Sequence, residues 1–227
     1  MKRIAFLFLV IFSLTNLVKA QDHTPLGPDG YPDRWWQPVP ADQLPGWEIP
    51  PQSADRSKGE VVLSKRNELG QFSNLGATPF VLDGDAYASV EALWQGMKYP
   101  ENAADDRLKN PSVVWKRTRS QVMQLSGFEA KAAGNEANAN LKKLGIRWIT
   151  YQGQKLEWNG KDVQAHYNLI YRACRAKLDQ NPALKDLLLS TKNLKLMPDH
   201  NESPGASPSY FYAEIYTKLR AEIQAGQ

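Results

Sequence analysis

The chain has almost no cysteine and very little histidine. Cys174 is its single thiol, so no internal disulfide can form, even in a compartment that would permit one. Nothing in the residues around Cys174 suggests an activated thiolate, so it reads as a buried helix residue rather than a nucleophile. The three histidines, His23, His166 and His200, lack metal-ligand spacing, and no metal or other cofactor is expected. A charge excess is missing as well. Lys and Arg number 28 against 24 Asp and Glu, a net +4, and three of those positive charges are Lys2, Arg3 and Lys19. Beyond residue 20 the balance is therefore +1, and no basic patch is interleaved with aromatics, so nothing marks a nucleic-acid binder. Past residue 20 there is also no apolar run approaching the roughly 20 residues that a bilayer span requires.

The first twenty residues are of a different kind. Lys2 and Arg3 precede the unbroken apolar run Ile4 to Phe12, and Val18-Lys19-Ala20 ends in a small residue suited to cleavage before Gln21. Residues 1–20 read as a secretory signal peptide, which predicts an exported protein, periplasmic or secreted, with no membrane contact after cleavage. Residues 21–58 carry eight of the 15 prolines, so the segment cannot run as helix or central strand and is expected to be an extended arm. Trp35, Trp36 and Trp47 interrupt it. Exposed tryptophan is costly, so the arm is read as a strap over the domain, with a lid or partner-binding arm as the alternative. Residues 59–227 are then the domain, and 42% hydrophobic residues give it ample material for one core.

Along that domain, 60–63 predicts a strand. Residues 102–124 read as helical in pieces broken at Pro111, 128–144 as a helix with Gly134 a weak point, and 147–151 as a strand or extended loop. Apolar residues at helical spacing predict a long helix over 162–179, with further helices over 183–190 and 210–224. The fold class is α+β, predominantly helical, a single domain with a short hairpin before the first main helix.

The hairpin and helix lie in 70–99. Phe80-Val81-Leu82 and Asp85-Ala86-Tyr87 flank Asp83-Gly84, the dipeptide a tight hairpin prefers. Ser89 stands where a helix N-cap belongs, and Glu91 falls in the first turn, where the helix dipole favours a carboxylate. Glu91, Gln95 and Lys98 are spaced by four and three, which puts an acid, an amide and an amine on one face, while Leu93 and Met97 point elsewhere. Such a stripe is also what a plain solvated helix face looks like.

Phe72-Ser73-Asn74, Pro79-Phe80, Asp83-Gly84, Ser89-x-Glu91 and Gln95-x-x-Lys98-Tyr99 together resemble the signature of the NADAR family. A second block, Arg175-Ala176-Lys177-Leu178, Asn181-Pro182, Leu184 and Leu187-Leu188-Leu189-Ser190-Thr191, resembles that family independently. The family includes N-glycosidases acting on riboflavin-biosynthesis intermediates and hydrolases that remove ADP-ribose from guanine. The resemblance implies a small-molecule nucleotide or ADP-ribosylated substrate, with nucleic acid only as a carrier of ADP-ribose. It implies Glu91 as the catalytic carboxylate, stabilising a ribosyl cation or activating water. Lys98 would be a nucleophile or an ion-pair or phosphate contact. Ser73 and Asn74 would line the ribose or phosphate pocket beside Gln95, and Trp94 would stack a base or pack the core. Arg117 and Arg119 are phosphate contacts or solvated charges.

The sequence also departs from the family. Relatives carry Asp-x-x-Trp-Gly after the Leu-rich helix, whereas here 201–206 has neither Asp nor Trp, and only Asp199 and Glu202 offer carboxylates. Ala92 stands where many relatives have His, and Trp158 lies a few residues before the slot that Asp162 fills. A non-catalytic nucleotide-binding module and a secreted interaction protein are therefore the alternatives to an N-glycosidase.

Overall fold

The computed structural model describes residues 26–226, so the leader expected over 1–20 lies outside the described residues. In the hairpin, Asp83 and Gly84 take φ of 50° and 92°, the left-handed pair that a two-residue turn needs. Strands β2 (Phe80–Leu82) and β3 (Asp85–Tyr87) pair across it, Phe80 opposite Tyr87, following β1 (Glu60–Val62). Helix α1 (Val90–Gly96) comes next, and the Ser89 hydroxyl accepts from the Ala92 N–H as its N-cap. The chain continues through α2 (Arg119–Met123), α3 (Gly127–Lys143), β4 (Ile149–Tyr151), β5 (Gln154–Leu156), α4 (Val163–Asp179), α5 (Pro182–Ser190), β6 (Lys195–Met197) and α6 (Tyr212–Ala225).

All seven residues of α1 are buried, polar ones included. It packs against α2, α3 and α4, and α4 in turn carries β2, α5 and α6. The stripe expected on α4 is the side that enters the core, through Leu169, Ile170, Ala173, Cys174 and Leu178. Burial pushes the Cys174 thiol up to about 11, which makes it inert. Strand β1 pairs in parallel with β6, Val61 opposite Leu196, a partnership of three residues on each side that joins the two ends of the domain.

Two readings need correction. Residues 102–124 are mostly irregular, holding only a 3-10 turn at Asp106–Leu108 and the five-residue α2. The reason is Arg107, which is fully buried and recruits this loop as a clamp. It donates to Met97 O (3.1 Å), Lys98 O (2.9 Å) and Thr150 Oγ1 (2.6 Å), and Asp105 balances its charge. Arg119 is not a solvated charge either. It donates to Tyr99 O (2.6 Å), Met97 O (3.2 Å) and Thr150 O (2.9 Å). The two guanidiniums thereby satisfy the carbonyls of the three residues that follow α1, Met97 to Tyr99. Arg117 pairs with Glu136 on α3.

The arm lies on the domain. Trp35 is 1% exposed and Trp36 8%, both within the main core. Their indoles donate to Glu68 Oε1 (2.7 Å) and Glu60 O (2.8 Å), so neither polar edge is left unmet. Arg34 grips the same Glu68. Among the described residues, no helix is long and apolar enough to cross a membrane. Because Trp35 is core, Trp35→Ala is expected to cost about 3–5 kcal/mol in chemical denaturation. A loss under about 1 kcal/mol would mean the arm is only a tether.

Candidate functional site

Two segments converge on the open side of α1. The loop Ser73-Asn74 is fixed from below by Lys177, a buried amine of α4 that donates to Gln71 O (2.5 Å) and Ser73 O (3.2 Å). From the loop, Asn74 O accepts from Glu91 N at 2.8 Å, which docks it on the first turn of α1. On the far side, the last residues before α6 bring His200, Glu202 and Tyr210 into the same space. The result is a cleft of about 340 Å³, within the size range of small-ligand sites.

All six residues singled out in the sequence, Ser73, Asn74, Glu91, Trp94, Gln95 and Lys98, line this cleft. The polar stripe of α1 is therefore not a solvated face. Glu91, Gln95 and Lys98 are only 9%, 6% and 6% exposed. Gln95 Nε2 donates to Glu91 Oε1 at 2.7 Å. Burial raises the Glu91 carboxyl above the usual range, with the Gln95 bond and Lys98 opposing. Burial likewise pushes the Lys98 amine down to about 8, against the pull of Glu91. Among the described residues Lys98 Nζ makes no hydrogen bond or ion pair; it lies 5.6 Å from the centre of the Trp94 ring. Trp94 is both wall and core, packing on His166 (4.1 Å), Tyr210 (5.2 Å) and Trp158 (6.5 Å).

Several lining residues escaped the sequence reading. Lys131, Asn135 and Asn138 on α3 face the cleft. Their spacing of four and three matches that of Glu91, Gln95 and Lys98, and is the signal that could have found them. The two helices come close because of Gly134. A Cβ there would stand 1.8 Å from Gln95 Oε1, so the residue expected to weaken α3 is what admits Gln95. His200 and Glu202 form the opposite wall. His200 Nδ1 meets Asp199 Oδ1 at 2.7 Å and its Nε2 meets Glu202 Oε1 at 3.0 Å. These two bonds raise the imidazole to about 9. Asp199 is itself fully buried and also binds Lys65 and the Tyr212 hydroxyl (2.9 Å). Neither His nor Lys in such a network is predictable from spacing, because the partners are brought together by the fold.

A second cavity, about 500 Å³, lies behind α1 between Tyr87, Trp115 and Arg119. Its guanidiniums are already committed to carbonyls and to Glu136. Among the described residues, no group of three His, Cys, Asp or Glu side chains is placed to hold a metal ion.

No family model and no curated protein matches the chain. Among solved structures it is similar to the NMR structure of the Escherichia coli protein YbiA, with 20% sequence identity and a TM-score of 0.44, over 72% of this chain and 83% of that one.

Gly134→Ala tests the close approach of α1 and α3. It is expected to expel the Gln95 amide, to remove the Glu91 bond and to cost about 1–3 kcal/mol in thermal or chemical denaturation. An unchanged melting curve would show that Gln95 is not held as described.

Proposed function

We propose that the chain is an N-glycosidase that cleaves the bond between ribose and a base in an ADP-ribose-like or phosphoribosylated nucleotide. The observation that carries this reading is the pairing, on one buried face, of a carboxyl whose pKa is raised and an amine, unbonded among the described residues, whose pKa is lowered to about 8. The two sets of motif residues resembling the NADAR family support it, since both site segments of the first set face the cleft. Burial favours a protonated Glu91, suited to giving its proton to the departing base. A buried Lys98 with a substantial neutral fraction suits attack on the anomeric carbon.

In that scheme the Lys98 nitrogen bonds to C1′ as the C1′–N bond to the base breaks, its electron pair leaving with the base. The base takes the Glu91 proton. The Glu91 carboxylate takes a proton from the bonded nitrogen and passes it to the ring oxygen as the ring opens to a protonated imine. Hydrolysis of that imine by water releases the sugar, returns the neutral amine and gives the remaining proton back to Glu91. Glu202, positioned by His200, supplies a second carboxylate at the edge of the cleft where the resemblance leads one to expect an Asp. The chain is further proposed to be exported and trimmed before Gln21, so that it meets its substrate outside the cytoplasm; a purified native protein that still begins at Met1 would overturn this.

The deciding measurement is base release, read by chromatography, from NAD, ADP-ribose, ADP-ribosylated guanosine and phosphoribosyl pyrimidine intermediates. Glu91→Gln is expected to lower turnover by about 100-fold or more with the fold intact. Nucleotide binding with no turnover on any substrate would instead favour a binding module. The pH dependence has two limbs. At pH 7 about a tenth of an amine with pKa near 8 is neutral and at pH 8 about half, which makes kcat/KM rise, while loss of the Glu91 proton makes it fall, so the wild-type profile should be bell-shaped. In Glu91→Gln, which lacks the falling limb, the residual kcat/KM should climb from pH 7 to 8. A flat profile in that variant, or full activity in Lys98→Arg, would exclude the amine as nucleophile.

A further inference from the structure

Trp47 and Phe128 are the only exposed aromatic side chains among the described residues, at 47% and 59%. They are also neighbours. Trp47 comes from the arm and Phe128 from the first turn of α3, yet their rings meet edge to face at 6.4 Å, and both line the cleft that holds Glu91. Two large apolar rings left half in water at the mouth of one cleft are a cost that folding alone does not require.

We propose that Trp47 and Phe128 form a stacking site for a planar aromatic ring of the ligand, which makes the arm part of the binding site. The proposal rests on the reading of the cleft as a ribosyl site and names what its ligand carries at the far end: an aromatic ring joined through phosphate to the ribose.

The arm holds Trp47 from both sides. Glu48 N donates to Pro45 O at 3.0 Å in a turn, and the Glu48 carboxylate accepts from Arg66 at 2.8 and 2.6 Å. One residue further, Ile49 N donates to Asp199 O at 2.7 Å. These anchors are chain neighbours of Lys65 and His200, two residues of the cleft wall, so the ring is fixed relative to the site before any ligand arrives. Cationic groups stand beside it. Lys65 Nζ is 5.3 Å from the centre of the Trp47 ring, the His200 ring 6.4 Å, and Lys131 lies one turn along α3 from Phe128. Lys65 and His200 are balanced by Asp199 and Glu202, so Lys131 is the cation beside the aromatic face that suits a ring carrying phosphate. Trp35 and Trp36 strap the arm down, whereas Trp47, twelve residues after Trp35, reaches over the cleft.

The test is calorimetric titration of the mature chain and of Trp47→Ala, Trp47→Phe and Phe128→Ala, with ADP-ribose, ribose 5-phosphate and AMP as probes. Trp47→Ala is expected to weaken ADP-ribose by roughly 5- to 100-fold, to leave ribose 5-phosphate unchanged and to be largely rescued in Trp47→Phe. Phe128→Ala, at an exposed position, should show the same selectivity even if Trp47→Ala melts early. Unchanged ADP-ribose affinity in both alanine variants overturns the stacking site, as does an equal loss for ribose 5-phosphate. Trp47-dependent binding of AMP by a wild type that ignores ribose 5-phosphate supports the stacking site while sinking the ribosyl reading. A wild type that binds none of the three overturns both.

Discussion

The rest of the structure depends on holding a carboxyl, an amide and an amine on one buried face. Each of Glu91, Gln95 and Lys98 would be solvated in an unfolded chain, and burying such groups is unfavourable unless they are bonded. The fold meets part of that demand and leaves part unmet. Gln95 supplies one hydrogen bond to Glu91, at 2.7 Å. Lys98 is left with attraction to Glu91 and no bond, and the outcome is a pair whose pKa values are driven toward each other. Titratable groups in a cleft whose pKa values are shifted by burial are associated with chemistry.

What surrounds α1 can be understood as the means of keeping that face dry and fixed. Its N-terminus is capped by Ser89 and docked on Asn74; the carbonyls of Lys98 and Tyr99, just past its C-terminus, are taken by Arg107 and Arg119. Both guanidiniums also bind Thr150, so the strand β4 is tied to the same end. The buried amine Lys177 holds the loop opposite, and its neighbours in the chain carry the second set of family-like residues. Of that set Asn181 binds Pro79 O (2.9 Å), and the adjacent Gln180, outside the set, pairs with both backbone groups of Val81. The hairpin and the cleft loop are in this way fastened to one helix end.

Local features were legible in the sequence wherever a short-range rule decides them. The Asp83-Gly84 turn, the Ser89 cap, the α4 stripe and the shared face of Glu91, Gln95 and Lys98 all follow from spacing and turn chemistry. Burial of that face was not legible, because a 4-3 stripe of polar residues looks the same in water and against a second such stripe. Strands β5 and β6 are three residues each and owe their existence to partners, one of them 135 residues away in the chain. The irregular stretch before α2 was misread for a related reason. Its conformation follows the buried charge of Arg107, a long-range constraint that overrides local helix preference.

The departure of residues 199–206 from the family-like sequence takes on a physical meaning in this fold. Asp199 cannot serve at the cleft: it is fully buried and already engaged by Lys65, His200 and Tyr212. Those bonds outweigh the desolvation that acts to raise its pKa, so it stays anionic and orients His200. The imidazolium then reaches out to Glu202, which lines the cleft. A carboxylate is thus delivered to the wall by a relay of two fixed residues rather than by a single Asp on the loop. The aromatic component is redistributed in the same way. Trp158 meets Trp94 edge-on at 81°, and Trp47 enters from a segment that the family-like residues do not cover. What a site of this kind needs is a charge and a ring at given places, and side chains from unrelated parts of the chain can meet that need if their backbones are tied down.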